Sequence, residues 1–517
     1  MRDFIIVGAG TAGCVLADEL TASGRHEVLL IEAGGKPPLM SRIPAGMPRL
    51  FGTRHDWAFE SEPNRACGGR RVFIPRGKML GGCSSMNAQI HQWCHPADFD
   101  EWAADGAPGW TWVDVAPVFR AMEGFAGGAD PARGGEGPMA VEIPASQSAL
   151  PPLWVEAARA AGLTGPAGYN GAAYRGAWLT EQAHRRGARY SVYDACLKPA
   201  LARSNLQLLT SRPVERLLFD GGRAVGVALA DGRREMAARG VILAAGAYGS
   251  PQLLMLSGVG PAPHLREHGL AVLVDSPGVG RNLQDHALLG MRFRLKRPIS
   301  LKRAGSLGAL LRWLIFRKGL LATSGIDAFA FESTDDGPAD LELMLAPFEV
   351  RDQLRGEPEQ EAYAIAPAVL KPRSSGSVTL RSAHAGEPPV IDLDLFSDPQ
   401  GADRAVAVAG LKLARRIAAT EPLAAETAAE YPETAGIEED DALFEAALPL
   451  LQTVYHPCGT CRMGRGPEAV LDERLRLRGA DGLWVVDASA LPSVPRGHPN
   501  AVVAMLAKRG AAMILSA

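Results

Sequence analysis

The opening of the chain constrains its fold more than any other stretch. Asp3–Val7 is a short apolar run that reads as a buried strand, and Gly8-Ala9-Gly10-Thr11-Ala12-Gly13 follows it. Cys14–Ser23 then carries apolar residues at helical spacing, and Val28–Ile31 is a second buried-type strand that ends at Glu32. A glycine-rich turn between a strand and a helix, with another strand beyond, predicts a βαβ unit and hence a parallel sheet. The first glycine permits the tight turn, the second lets the backbone reach a pyrophosphate, and the third lets the helix pack closely on the strand. The helix N-terminus faces the phosphates with unpaired N–H groups and a partial positive charge. Glu32 stands where a carboxylate can hold ribose hydroxyls. Gly8, Gly10, Thr11, Ala12, Gly13, Glu32 and Ala33 therefore form a candidate dinucleotide site, one that does not by itself separate a nicotinamide from a flavin.

The 517 residues suggest more than one domain. Leu206–Leu209, Val214–Phe219, Ala224–Ala230 and Gly240–Ala245 read as strands, and Asp220-Gly221-Gly222 and Asp231-Gly232 are hairpin-type turns between them. A helix-like stretch, Pro251–Ser257, follows. Residues 291–450 differ in texture, with strand-like pieces at Ala362–Leu370 and Gly376–Leu380 and helical periodicity over Ala402–Thr420. This middle reads as a substrate-facing domain inserted into a nucleotide-binding one. Strand, turn and helix return at the end, with Gly482–Asp487 a strand and Ala501–Leu515 a helix.

A formal net charge of −3 gives no broad attraction to nucleic acid. The seven cysteines do not make a secreted disulfide framework. Cys458 and Cys461 form a CxxC without a second ligand pair, so no metal site is expected. There is no signal-peptide pattern and no apolar run of about 18 residues, so a cytoplasmic location without a membrane span is expected. The apolar run from Leu307 to Leu321, broken by Arg312, Arg317 and Lys318, reads as an amphipathic helix, with membrane-surface contact the lesser reading.

Four further segments carry a family resemblance. They are Pro75-Arg76-Gly77-Lys78-Met79-Leu80-Gly81-Gly82-Cys83-Ser84-Ser85-Met86-Asn87, the run from Gly246 to Gly260, Gly278-Val279-Gly280-Arg281-Asn282-Leu283-Gln284-Asp285-His286, and the run from Tyr455 to Gly464. In that order they resemble the signatures of the glucose–methanol–choline (GMC) flavin oxidoreductases, and they span nearly the whole chain. The resemblance implies an α/β fold: a discontinuous Rossmann-like FAD-binding domain with an inserted α+β substrate-binding domain on an antiparallel sheet. The expected division is 1–145, 190–290 and 452–517 against 146–189 and 291–451. It also implies FAD contacts from Met79, Gly82, Cys83, Asn87, Val214, Ala245, Gly246, Asp487, Ala488 and Asn500, beside the residues of the first turn. Some choline oxidases of similar sequence carry a flavin-linking histidine where this chain has Met86, so the FAD is expected to be non-covalent.

An alcohol O–H is a poor acid near neutral pH, so loss of a hydride from its carbon needs a base, and imidazole has a suitable pKa. The resemblance places that base at His456. A second catalytic residue is expected at Asn500, whose amide can donate to the developing alkoxide; His498, two residues earlier, is set aside on the spacing to the following helix. The implied reaction is oxidation of a small-molecule alcohol, expected to be primary, to an aldehyde. Hydride passes to flavin N5, and dioxygen or a quinone or protein acceptor reoxidises the flavin. A hydroxynitrile lyase that keeps FAD without net redox, and a flavin-binding protein without turnover, are the alternatives. His91 and His95 flank the Gln92-Trp93-Cys94 departure from the family pattern and read either as lining the substrate entrance or as structural. Phe329, Phe331 and Glu332 near Asp327 are candidates for a cage around a cationic substrate. The run Leu341–Phe348 reads more readily as core than as pocket wall.

Overall fold

Strands buried on both faces of a parallel sheet must be apolar at nearly every position, and several short runs of this chain come close to that condition. In the computed structural model, which describes residues 2–129, 131–144, 148–171 and 174–516, they lie side by side. Arg2–Val7 pairs in parallel with Val28–Ile31 on one side and with the end of Arg234–Leu243 on the other. Leu206–Leu209 extends the sheet beyond Val28–Ile31, and Leu483–Val485 closes it beyond Val241–Leu243. Helices Thr11–Thr21 and Asn500–Leu515 pack on each other against this sheet. The fold is mixed α/β.

Arg234–Leu243 is one ten-residue strand serving two partners. Its second half is in the parallel sheet, while Arg234–Met236 pair antiparallel with Arg223–Leu229, itself paired with Val214–Asp220. The sequence suggested only the second half, because Gly240 hides the continuity. The hairpin at Asp220–Arg223 has Gly221 and Gly222 both at positive φ (54° and 83°), the two-residue turn whose twist matches that of the strands.

A second sheet is antiparallel, in the order Thr427–Glu430, Met291–Leu295, Ala362–Val369, Leu341–Ala346, Ala328–Glu332, Gly176–Leu179. Helix Ala402–Ala418 covers one face through Leu411, Ala414 and Ile417. Several expected elements have different ends. The helix expected at Pro251–Ser257 starts at Gly246, and the strand expected at Gly376–Leu380 is Ser377–Thr379. The Leu307–Leu321 run is helical over Leu307–Phe316. The expected boundary at 145–146 lies outside the described residues. A small sheet nevertheless joins Glu123–Phe125 and Met139–Glu142 to Gln182–Arg185 and Ala188–Arg189, segments that the expected division separates.

Gly13 sits where helix Thr11–Thr21 crosses its own turn. A Cβ there would stand 1.9 Å from the Gly8 carbonyl oxygen, whereas one on Gly10 would meet nothing within 4 Å. Gly13→Ala should therefore destabilise the protein by about 1–3 kcal/mol, and Gly10→Ala by much less. Chemical denaturation of both variants checks this, and equal losses would refute the packing argument.

Candidate active site

A cavity of about 1120 Å³ runs from the glycine-rich turn to a group of histidines. Gly8, Gly10, Thr11, Ala12, Glu32, Ala33, Val214, Ala245 and Gly246 line its first end. Gly13 and Met79 do not; Gly13 lies under the turn, and Met79 is buried against Leu50 and Met86. Glu32 ends its strand and accepts the N–H groups of Ala9 and Gly34, both at 2.8 Å, on separate carboxylate oxygens, and burial raises its pKa. Each oxygen retains a second lone pair. The open space over Gly10 adjoins Gly82, where a Cβ would approach the Gly10 Cα to 2.8 Å. Two glycines thus hold open a cradle beside the helix N-terminus.

Gly82, Cys83, Met86 and Asn87 line the middle of the cavity. The Asn87 carbonyl oxygen accepts from Arg189 and from the Gln89 backbone, both at 2.9 Å. Asp487 and Ala488 also line it. Both Asp487 oxygens are engaged in holding structure: Oδ2 accepts from Gly246 N and Ser250 Oγ, and Oδ1 from Ser489 N and Oγ.

The far end is assembled by an antiparallel bridge. Gln284 N donates to Cys458 O at 3.1 Å and Cys458 N to Gln284 O at 2.9 Å, which sets Asp285 and His286 opposite His456. Asp285 Oδ1 accepts the backbone N–H groups of both histidines at 2.8 Å. Burial pushes its pKa up to about 6, against the pull of Arg76 and these donors. The two imidazoles meet Nδ1 to Nδ1 at 3.0 Å. Burial holds His286 down to about 3, and it holds His456 well below the ordinary imidazole range, with His498, His286 and Arg76 adding to the effect. Both rings are neutral near pH 7.

His498 completes the group. Its ring stands edge-on to His456, centroids 4.7 Å apart, and its Nε2 is 2.8 Å from the buried Glu342 carboxylate. The Gln92 side chain fixes it in place by accepting the His498 backbone N–H at 2.8 Å. Asn500 lines the same cavity, but its Oδ1 accepts from Thr11 Oγ1 at 2.8 Å, at the glycine-rich turn. Sequence spacing had favoured Asn500 over His498 as the partner of His456, and it had passed over His286, Glu342 and Gln92. The alternation of the Leu341–Ala346 strand is the signal in the chain that points to Glu342.

His91 and His95 do not line the cavity. His91 Nε2 is 3.1 Å from Glu123, within a buried group that includes Arg133 and Glu181, and His95 Nδ1 accepts from Ala97 N to cap helix Pro96–Ala104. Phe329 and Phe331 are sealed in the core, so they cage no substrate. Along Leu341–Phe348 the residues alternate: Met344, Ala346 and Phe348 line the cavity, while Leu343 and Leu345 are core. Cys458 and Cys461 are free, buried thiols whose pKa burial raises, and no metal-binding cluster is found among the described residues.

Family models described as GMC oxidoreductase match residues 2–288 and 372–507. The chain is 38% identical over 527 residues to an uncharacterized GMC-type oxidoreductase of Mycobacterium tuberculosis, with 99% of each chain covered. It is 36% identical over 529 residues to an oxygen-dependent choline dehydrogenase of Brucella suis, covering 99% of this chain and 95% of the relative. Among solved structures it superposes on pyridoxine 4-oxidase from Mesorbium loti with a TM-score of 0.91 at 30% identity, covering 99% of both chains. A formate oxidase of Aspergillus oryzae, studied for FAD modification, gives 0.91 at 25% identity, covering 100% of this chain and 98% of the other.

The Asp285 carboxylate is the post on which both histidine backbones hang. Asp285→Asn keeps an accepting oxygen there, while Asp285→Ala orphans two buried N–H groups. The alanine variant should be less stable than the asparagine variant by about 1–3 kcal/mol, read from their denaturant midpoints. Indistinguishable midpoints would show that the two N–H bonds hold nothing.

Proposed function

The chain belongs to the GMC oxidoreductase family, and we propose that it oxidises a neutral primary alcohol to an aldehyde with a non-covalently held FAD, His456 acting as base. The observation that carries this reading is the neutral His456 ring, tied by Nδ1 to His286, in a cavity that begins at a dinucleotide-type turn. The open Gly10–Gly82 cradle, the helix N-terminus and the unused Glu32 lone pairs suit the pyrophosphate and ribose of FAD. Met86, which has no nitrogen to form the linkage, supports non-covalent attachment. When bound, FAD supplies a hydride acceptor.

The chain's own groups handle the proton. The carbonyls of Leu370 and Pro495 act on the His286 ring and raise its basicity, though neither makes a full hydrogen bond to Nε2. Carbonyls only accept, so they favour a proton on His286 Nε2. His286 Nδ1 then accepts from His456 Nδ1–H, and His456 Nε2 is left with the lone pair that takes the hydroxyl proton. His498, held by Glu342 and Gln92 against the base, steadies the substrate oxygen. Asn500 belongs instead with Thr11 at the FAD end. A neutral substrate is favoured by the apolar wall of Met344, Ala346, Ala364, Ala366, Leu288 and Ile326. Dioxygen or a quinone-type acceptor reoxidises the enzyme.

Anaerobic addition of primary alcohols, with choline as a comparison, should bleach the flavin absorbance, and neutral alcohols should do so faster. His456→Ala should slow that bleaching by about two to four orders of magnitude with flavin still bound, and an unchanged rate would remove His456 from this role. His498→Ala should slow bleaching far more than it weakens flavin retention, with Asn500→Ala showing the reverse bias. The opposite pattern would restore Asn500 as the partner of the base. Acid denaturation should release the flavin from the polypeptide, and yellow protein after washing would overturn non-covalent binding.

A further inference from the structure

Helix Leu307–Phe316 is apolar on the face it shows to solvent. Leu307 is 71% exposed, Leu311 48%, Leu314 40%, Ile315 67% and Phe316 64%. A helix that is hydrophobic all round belongs in a core or in lipid, yet this one lies on the surface with its opposite side already satisfied. Trp313 is fully buried with Ile43, Ala188 and Ala322, and its Nε1 donates to Gly187 O at 2.7 Å. The Ser306 side chain caps the N-terminus by accepting from Ala309 N, and the Arg317 guanidinium stacks on the Trp313 ring at 3.9 Å. The exposed face cannot turn inward without giving up these contacts.

The charge around it is one-sided. No Asp or Glu occurs between Asp285 and Asp327, whereas Arg292, Arg294, Lys296, Arg297, Lys302, Arg303, Arg312, Arg317 and Lys318 all fall there. The chain as a whole is slightly acidic, at −3, so this is a local feature. Lys302, Arg303, Arg312 and Lys318 are exposed, and no carboxylate pairs with them among the described residues. Arg292 and Arg297, further from the helix, do have such partners in Glu433 and Glu426. An apolar ridge flanked by unpaired cations matches an anionic lipid surface: the side chains enter the acyl boundary and the cations meet the headgroups.

We propose that helix Leu307–Phe316 docks this protein peripherally on an anionic bilayer. The segment leading into the helix, with Leu310 inside it, also rims the cavity, through Leu301, Lys302, Gly305 and Ser306. Docking sets this rim at the membrane surface. The inference does not depend on the redox reading, because its test reads binding alone.

The test is flotation of the full-length, flavin-loaded protein with vesicles of phosphatidylcholine alone or mixed with phosphatidylglycerol, at low and high salt. The protein should float with the anionic vesicles, at least about tenfold more than with the neutral ones, and salt should reduce this. The triple variant Leu311→Gln, Ile315→Gln, Phe316→Gln touches neither the cavity nor the Trp313 anchor; it should keep its flavin and lose flotation. Should that variant misfold, Arg312→Gln with Lys318→Gln decides the matter, and it should abolish the preference for anionic vesicles. No flotation at low salt, or flotation undiminished by these variants, would overturn the proposal. So would sedimentation showing that the ridge pairs two copies of the chain in the absence of vesicle binding.

Discussion

The parallel pairing of Val241–Leu243 between Ile5–Val7 and Leu483–Val485 is the constraint from which the site follows. In a parallel sheet all strands end at the same edge, and whatever follows each strand is delivered there. Gly8 follows the first, Ala244 and Ala245 the second, and Asp487 comes two residues after the third. The register therefore builds the glycine-turn end of the cavity before any side chain is chosen. Asp487 then bonds Gly246 N and Ser250 Oγ, so one carboxylate locks the start of the helix that follows the central strand.

The histidine end of the cavity rests on a different principle, the removal of water. Three imidazoles in contact would repel one another if charged, and burial keeps His456 and His286 neutral. A neutral pair can share a single N–H between two nitrogens, with the remaining groups deciding which ring keeps it. The Glu342 carboxylate beside His498 is an acceptor only and orients that ring, while the backbone carbonyls around His286 bias its proton toward Nε2.

How much of this could be read from the chain depended on the range of the interaction. The βαβ opening was legible because its strand, turn and helix are contiguous, and the hairpin at Asp220–Arg223 because Gly-Gly has few other uses between two strands. The Tyr455–Gly464 segment that carries His456 was legible as a motif. The setting of His498 was not: it depends on Glu342 from a strand 156 residues away and on Gln92, 406 residues away. Spacing along the following helix points to Asn500, and local sequence cannot say that Thr11 will hydrogen-bond the Asn500 side chain. The cage suggested by Phe329 and Phe331 failed for a similar reason. Aromatics in a strand alternate with their neighbours, but only the packing of Tyr169 and Tyr174 shows that these two face the core.

The hydrogen bond between Thr11 and Asn500 spans 489 residues. Helix Thr11–Thr21 is covered by Asn500–Leu515, and the central sheet gains its last strand only at Leu483–Val485. During synthesis the first helix and the first strands leave the ribosome long before their covers exist. Their apolar faces stay open to solvent, or to the wrong partner, until the final segment arrives. The chain thus makes its oldest residues wait for its youngest.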